Sequence, residues 1–185
     1  MERGSISEAL PIGATIPSFV LPNVDGEMVS ERFFDGAAAG VVVFSCNHCP
    51  YVKGSDVAMI ACAQEYQQRG VRFLAISSND ATQYPEDGFE KMKEKASSLG
   101  LPFPYLYDES QQVAKRFDAA CTPELYVFDS QKRLAFHGTI NNSPRFPEKV
   151  TEHHLRKALD QLLAGQAVVP NFVHPIGCSI KWRAV

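Results

Sequence analysis

The 185-residue sequence has no long apolar run, no excess of one charge and no dense array of cysteines. Its longest apolar segments, such as residues 41–44, are far shorter than the roughly 20 residues that a membrane-spanning helix needs. Lys and Arg total 18 and Asp and Glu total 21, interspersed along the chain, which gives a net charge of −3. This balance argues against partners such as nucleic acids and against a polybasic membrane surface. The N-terminal segment also lacks the apolar core of a secretory signal, so with Met1 as the start we expect a cytoplasmic protein.

The five cysteines do not form the even, closely spaced set of a disulfide-stapled domain. They are Cys46, Cys49, Cys62, Cys121 and Cys178. In a reducing compartment, the close pair is more typical of redox chemistry or metal binding than of a permanent disulfide. Cys62 lies among apolar residues of a predicted helix and is interpreted as core filler. Cys178 is interpreted as a buried anchor of the C-terminal segment, with a third exchanging thiol as the alternative.

Hydrophobic periodicity predicts a single domain, residues 1–185, in which strands alternate with helices. Residues 1–40 form an extension that contains a β-hairpin with its turn at 23–26, and residues 166–185 form a non-helical tail across the surface. The predicted strands are 41–45, 71–77, an extended segment at 101–108, 125–129 and 133–138, and the predicted helices are 51–69, 88–98, 110–117 and 151–164. This order predicts the α/β class: a central mixed sheet with helices on both faces, an N-terminal β-hairpin and an extra βα insertion.

Two local expectations follow from individual residues. Pro50 and Gly54 predict a bent or irregular start of the helix at 51–69. The charged segment "EKMKEKA" at 90–96 predicts a solvent-exposed helix face.

Cys46 and Cys49 are separated by Asn47 and His48, directly after a predicted strand and before a predicted helix. A cysteine at a helix N-terminus meets unpaired N–H groups and the positive end of the helix dipole, both of which stabilise a thiolate. We therefore predict that Cys46 attacks a substrate disulfide and that Cys49 resolves the mixed disulfide. His48 is expected to lower the pKa of Cys46 further.

Metal binding fits the sequence less well. A structural zinc site needs four ligands, usually two such pairs or one pair plus two closely spaced histidines. His153 and His154 are adjacent in a helical pattern and so point in different directions. Haem attachment needs a histidine directly after the second cysteine, where the sequence has Pro50. A copper-handling module, in which Cys46, Cys49 and a histidine hold Cu(I), is the alternative from another functional class.

Four segments together resemble a known family: "FSCNHCPYV", "ISSND", "CTPELYVFD" and "GCSIKW". They resemble the thioredoxin-like redoxins of the alkyl-hydroperoxide-reductase/thiol-specific-antioxidant superfamily, in particular a bacterial group with the CNHCPYV and GCSIKW motifs. The resemblance implies a thioredoxin-like fold, with Pro123 as a cis-proline facing the cysteine pair. It further implies that an extended substrate segment pairs with the backbone of Thr122 and Pro123. No bound cofactor is implied; the partners are a protein or small-molecule disulfide and a dithiol electron donor.

The sequence departs from thioredoxins within the motif. Thioredoxins carry Trp before the first cysteine and Gly-Pro between the two, whereas this chain has Ser45 and then Asn47 and His48. Thioredoxins also have a buried acid in the strand that leads to the site, and "VVVFS" has none. The group that deprotonates Cys49 is therefore open, with Glu124, Asp80 and His48 as candidates. Cys121, two residues before Pro123, is a candidate for a tuning or redox role.

The peroxiredoxin reading requires Thr or Ser three residues before the peroxide-reacting cysteine and Pro seven residues before it. Counting back from Cys46 gives Val43 and Ala39, and counting back from Cys49 gives Cys46 and Val42. Neither count supplies a hydroxyl or a proline. We therefore expect a thiol-disulfide oxidoreductase, with a thiol-dependent peroxidase as the alternative.

Overall fold

The computed structural model describes residues 10–184. Its strands and helices, in chain order, are β1 (Val20–Pro22), β2 (Met28–Ser30), β3 (Ala39–Ser45), α1 (Pro50–Gln67), β4 (Val71–Ser77), α2 (Phe89–Leu99), β5 (Tyr105–Tyr107), α3 (Gln112–Phe117), β6 (Cys121–Thr122), β7 (Glu124–Asp129), β8 (Leu134–Gly138), α4 (His154–Leu163) and β9 (Cys178–Ser179). Three short 3-10 helices lie between them at Glu31–Phe34, Pro85–Asp87 and Pro147–Lys149. The first nine residues of the predicted N-terminal extension lie outside the described residues.

Five strands form one mixed sheet in the order β5-β4-β3-β7-β8. The central strand β3 runs parallel to β4 and antiparallel to β7. Strand β4 is parallel to β5, and β7 is antiparallel to β8. Strands β1 and β2 pair antiparallel around the predicted turn, so the mixed sheet and the N-terminal hairpin are both confirmed. Among residues 10–184, no helix is long and apolar enough to cross a membrane.

The side chains of β3 alternate between two hydrophobic clusters, one on each face of the sheet. Val41 and Val43 pack with buried residues of α1, α2 and α4. Val42 and Phe44 pack with α3 and with the N-terminal segment on the other face. Because successive strand residues point to opposite faces, a strand covered on both sides must be apolar throughout. The prediction of helices on both faces is therefore confirmed.

Helix α1 is continuous from Pro50, so the expected irregular start is wrong. Pro50 occupies the first helical position, where the N–H that proline lacks would have no partner within the helix. A Cβ at Gly54 would lie 2.4 Å from the carbonyl oxygen of Pro144. Gly54 is therefore explained by close packing of α1 against the chain at Pro144 and not by a bend.

The C-terminal tail lacks a helix, as predicted, but it does more than cross the surface. Its strand β9 pairs with β6 in antiparallel register, with Thr122 opposite Cys178. The next residue, Ile180, is buried in the second hydrophobic cluster. The Lys181 N–H donates to Asn79 Oδ1 at 2.9 Å, and the Lys181 carbonyl accepts from the Asp80 N–H at 2.8 Å. The tail is thus an integral part of the fold beside the carboxyl ends of β3 and β4.

Two glycines allow the tail to approach the sheet. A Cβ at Gly138 would lie 2.6 Å from the carbonyl oxygen of Val173, and a Cβ at Gly177 would lie 2.1 Å from that of Thr122. Real Cβ atoms do not approach backbone oxygens this closely, so a side chain at either position would push the tail away. Gly177 matters more for the cysteine pair because Thr122 lies directly against it.

We predict that Gly177→Ala loosens the tail and exposes Cys46 and Cys49. The added methyl group forces backbone to shift, which costs about 1–3 kcal/mol of local stability and raises the rate of thiol labelling by about tenfold or more. Alkylation of the reduced protein, followed by peptide mass spectrometry, measures that rate. Ser179→Ala, at an exposed position two residues further along the tail, is the matched control and should leave the rate unchanged. Equal labelling of both variants would contradict this account of Gly177.

Candidate active site

Cys46 and Cys49 lie in the connection between β3 and α1. Strand β3 ends at Ser45 and α1 begins at Pro50, so Cys49 is the residue that caps the helix. Both cysteines are completely buried. The unpaired N–H groups of the first helical turn therefore favour a negative charge on Cys49. This corrects the sequence-based argument, which assigned the helix N-terminus to Cys46.

The hydrogen bonds of the two thiols agree with this placement. The Cys46 thiol donates to Cys49, which lowers the pKa of Cys49, and the N–H of Val52 and the thiol and N–H of Cys178 lower it further. The same thiol-to-thiol hydrogen bond raises the pKa of Cys46, and burial raises it further. In this arrangement these contacts favour the negative charge on Cys49, whereas the Thr122 hydroxyl and the Cys49 N–H act in the opposite direction by lowering the pKa of Cys46. The two thiols therefore titrate as a pair, and the identity of the attacking sulfur stays a prediction.

The loop at Thr122 and Pro123 faces both sulfurs. The Thr122–Pro123 peptide bond is cis, as the resemblance implied. Thr122 Oγ1 lies 3.5 Å from Cys46 Sγ, and the Thr122 carbonyl oxygen lies 3.3 Å from Cys49 Sγ. Thr122 is thus in contact with both members of the pair and, through β6, with the tail. The edge that the resemblance assigned to a substrate strand is already paired with β9, which corrects that expectation for this conformation.

Asp87 organises the two residues between the cysteines. Its fully buried carboxylate accepts the N–H groups of Asn47 at 2.7 Å and His48 at 3.2 Å, and Asn79 Nδ2 at 2.8 Å. His48 Nδ1 lies 2.5 Å from Asp87 Oδ2, and the His48 ring stacks on Tyr84. Since a carboxylate that accepts several hydrogen bonds is well satisfied when buried, Asp87 holds the loop in one conformation.

The sequence suggested that His48 alone acts on Cys46, but the negatively charged carboxylate of Asp87 acts on it as well. The Asp87 carboxylate lies beside His48 and itself contributes to the raised pKa of Cys46. The expectation that His48 lowers the pKa of Cys46 stays a prediction, and Asp87 acts on that pKa in the opposite direction. Asn47 has a positioning part as well, since its amide binds the Glu86 carbonyl and the Tyr105 hydroxyl.

Cys46, His48 and Asp87 also bear on metal binding. One ligand atom from each residue lies within 4.8 Å of the others. However, the four donors that surround Asp87 occupy the roughly four lone-pair sites of a carboxylate. His48 Nδ1 is itself bound to Asp87. The cluster therefore fits a hydrogen-bonded loop support better than an open set of metal ligands.

Asp56 and Lys95 form a partly buried ion pair behind the cysteines. Their charged atoms lie 3.1 Å apart, and Lys95 Nζ also donates to the Cys46 carbonyl at 3.0 Å. Burial raises the pKa of Asp56, and Lys95 opposes that rise. Asp56 and Lys95 line a small cavity together with Pro123, so an acid does lie near the pair although β3 carries none. Lys95 belongs to the segment expected to be solvent-exposed, and its side chain is only 12% exposed.

Glu124 and Asp80, two candidates for deprotonating Cys49, are engaged elsewhere. Glu124 accepts the N–H groups of Ala120 and Cys121 and binds His137 Nε2 at 2.6 Å. Burial alone would raise the pKa of Glu124, but these hydrogen bonds hold it below its ordinary value. Asp80 binds Thr82 and lies 3.6 Å from Arg183 in the tail. Glu124 therefore positions the loop before Pro123, and Asp80 fastens the tail.

Sequence reasoning missed Asp87, Asp56 and Lys95. Asp87 lies forty residues from the loop that it holds, and nothing in "YPEDG" distinguishes it from an ordinary turn residue. Lys95 is one of several lysines on α2, and only the docking of that helix selects it. Asp56 neighbours Ser55, which the structure buries in α1, and no local pattern in the sequence marks either residue.

The sheet order, the cis peptide bond at Pro123 and the cysteine pair at the start of α1 together define a thioredoxin-like redox enzyme. The crystal structure of the thioredoxin domain of a thiol-disulfide oxidoreductase from Bacteroides vulgatus has the same fold, with a TM-score of 0.60 and 14% identity over 70% of this chain and 89% of that one. The AhpC/TSA family matches residues 12–137, and the chain belongs to this family.

Some relatives of the chain are named thiol-disulfide oxidoreductases and others are named peroxiredoxins. It is 27% identical to thiol-disulfide oxidoreductase ResA of Geobacillus thermodenitrificans over 127 residues, which is 68% of each chain. It is 26% identical to chloroplastic peroxiredoxin Q of Triticum aestivum over 144 residues, which is 74% of this chain and 61% of the wheat protein. A crystal structure of an uncharacterized conserved protein from Geobacillus kaustophilus is 47% identical, with a TM-score of 0.90 over 95% of this chain and 94% of that one.

We predict that Cys46→Ala raises the pKa of Cys49, whereas Cys46→Ser does not. Alanine removes the donor that contributes most to the low pKa, and a hydrogen bond to a charged group contributes about 1.5–3 kcal/mol. Serine retains an O–H donor at the same place. Thiolate absorbance in the ultraviolet, followed against pH, measures the shift, and Cys49→Ser identifies the transition that belongs to Cys49. If the wild-type low-pH transition survives in Cys49→Ser, the thiolate is not on Cys49.

We predict that Lys95→Met destabilises the protein mainly at neutral pH. The carboxyl group of Asp56 has a raised pKa when folded, so the stability that it contributes falls as the pH rises above the unfolded pKa of about 4. Loss of Lys95 raises that pKa further and should cost about 1–3 kcal/mol at neutral pH and less near pH 4. Urea unfolding at the two pH values measures the difference. Lys91→Met, in an exposed pair on the same helix, is the control; an equal loss at both pH values would contradict the assignment.

Proposed function

We propose that this protein is a thiol-disulfide oxidoreductase that cycles Cys46 and Cys49 between a dithiol and a disulfide. The observation that carries the proposal is the placement of both sulfurs against Thr122 in one buried cluster, with Cys49 at the start of α1. A low-pKa thiolate with a second thiol in contact is what thiol-disulfide exchange requires. The substrate is a protein or small-molecule disulfide, and a dithiol protein in a reducing compartment supplies the electrons.

In this mechanism the Cys49 thiolate attacks first, in place of the order expected from the sequence. It attacks one sulfur of the substrate disulfide, forms a mixed disulfide and releases the other substrate sulfur as a thiolate, which takes up a proton. Cys46 then loses its proton and attacks Cys49, which forms the internal disulfide and releases the reduced substrate. Because both cysteines are buried beneath the tail, part of β9 has to move before a protein substrate can reach them.

The peroxidase alternative has one supporting contact. Peroxide reduction needs a thiolate beside groups that orient the peroxide and stabilise the leaving oxygen. Thr122 Oγ1 supplies a hydroxyl, but it contacts Cys46, whose pKa is raised, and Cys49 instead faces the Thr122 carbonyl oxygen. A carbonyl oxygen accepts hydrogen bonds and cannot donate one to a peroxide. Disulfide exchange is therefore favoured.

We expect the purified protein, supplied with dithiothreitol, to reduce insulin, and its hydrogen peroxide consumption to exceed that of free thiol by less than about tenfold. Cys49→Ser should abolish insulin reduction, because the attacking thiolate is lost. Cys62→Ala removes a buried thiol of α1 that lies outside the site. It is the control for the loss of any one cysteine and should retain activity. Peroxide reduction that is orders of magnitude faster than that of free thiol would favour the peroxidase, and stoichiometric copper without reductase activity would favour metal handling.

A further inference from the structure

The tail brings a third cysteine to the buried pair. Strand β9 places Cys178 directly opposite Thr122 in an antiparallel register. Residues opposite each other in a sheet present their side chains on the same face. Thr122 uses that face to contact Cys46 through its hydroxyl oxygen. Cys178 therefore faces the cysteine pair, and it packs with Cys46, Cys49 and Val52 in one small cluster.

Cys121 is the internal comparison for this geometry. It neighbours Thr122 on the same strand and lies opposite Ser179. Because successive strand residues point to opposite faces, Cys121 and Ser179 lie on the face away from the pair. Both line a separate cleft together with Glu124 and His174. Because strand side chains alternate between the two faces, only Cys178 of the two cysteines on β6 and β9 faces the cysteine pair.

The thiol of Cys178 is within hydrogen-bonding reach of Cys49 and is held there. The interaction helps to lower the pKa of Cys49, while burial and the neighbouring Cys49 raise that of Cys178. The residues that follow are fixed by the buried side chain of Ile180 and by backbone hydrogen bonds of Lys181. A group held against its reaction partner reacts as though it were at a very high concentration.

The three sulfurs differ in their access to solvent. Cys46 and Cys49 are completely buried, whereas Cys178 is partly exposed. A disulfide that includes Cys178 can therefore be reached and reduced by a partner while the tail stays in place. Cys49 is thus the central sulfur of the three. It contacts the buried thiol of Cys46 on one side and the more accessible thiol of Cys178 on the other.

We propose that Cys178 is a third redox thiol, which resolves mixed disulfides on Cys49 and forms a Cys49–Cys178 disulfide that alternates with Cys46–Cys49. This inference rests on the proposed exchange function. The Cys178 thiol loses its proton, and its sulfur attacks Cys49 in the mixed disulfide. One S–S bond forms, one breaks, and the departing substrate thiolate takes up a proton. Attack of Cys46 on Cys49 then restores the buried pair without any net change in oxidation.

The test uses Cys46→Ser, which leaves Cys178 as the resolving thiol, and glutathione disulfide as the probe. Glutathione first joins Cys49, and Cys178 then displaces it, so the internal Cys49–Cys178 bond accumulates. The double variant Cys46→Ser/Cys178→Ser should retain the glutathione adduct on Cys49 at least about tenfold longer than Cys46→Ser does. Cys46→Ser/Cys121→Ser is the matched control and should lose glutathione as fast as Cys46→Ser. Tryptic cleavage after Lys53, Lys157 and Lys181 separates the peptides of Cys49 and Cys178 for non-reducing mass spectrometry.

The outcomes separate this inference from the proposed function. A glutathione adduct on Cys49 that persists equally with and without Cys178 overturns the role of Cys178 and leaves disulfide exchange intact. Failure of Cys46→Ser to form either an adduct or an internal bond overturns the reactivity of Cys49 and the inference with it. In the wild-type protein, stepwise oxidation should give both internal disulfides; detection of Cys46–Cys49 alone at every step would contradict the alternation.

Discussion

The site depends on the antiparallel pairing of Thr122 with Cys178. Thr122 contacts both sulfurs of the cysteine pair from one strand, and the pairing brings a third sulfur to the same face from the tail. The glycine before Cys178 lets the two backbones meet at this point. This contact closes the space above the pair, so it contributes to the burial of both thiols and holds Thr122 against their sulfurs.

Two acids support the site in different ways. Asp87 is completely buried and accepts hydrogen bonds from the loop between the cysteines, so its carboxylate serves to hold that loop. Asp56 is paired with Lys95 behind the pair, where burial and the ion pair act on its pKa in opposite directions. A carboxyl group with a raised pKa can exchange a proton at a milder pH than an exposed one. Asp56 is thus an acid with a raised pKa in the ion pair that holds the Cys46 carbonyl, and Asp87 is a positioning residue.

The family contains relatives named for disulfide exchange and for peroxide reduction, and the fold alone does not separate the two activities. The groups around Cys49 support the proposed exchange activity. Cys49 is surrounded by a second thiol, a third thiol, a helix N-terminus and a carbonyl oxygen. The helix N-terminus stabilises a thiolate and the two thiols offer sulfur partners for it, whereas the carbonyl oxygen accepts a hydrogen bond from the Cys49 thiol. Among the described residues, none of these contacts is a hydroxyl that would orient a peroxide.

Local pattern was sufficient for the strands, most helices and the location of the cysteine pair, because a buried apolar strand and an amphipathic helix are encoded by neighbouring residues. Turn residues identified the hairpin, and the family resemblance identified Pro123. The sequence could not decide which cysteine caps α1, since that depends on a helix start that varies by a few residues. It could not select Asp87, Lys95 or Cys178 from similar residues elsewhere, because each acts on a partner distant in the chain. Only tertiary structure decides those contacts, since long-range packing and not local propensity brings the partners together.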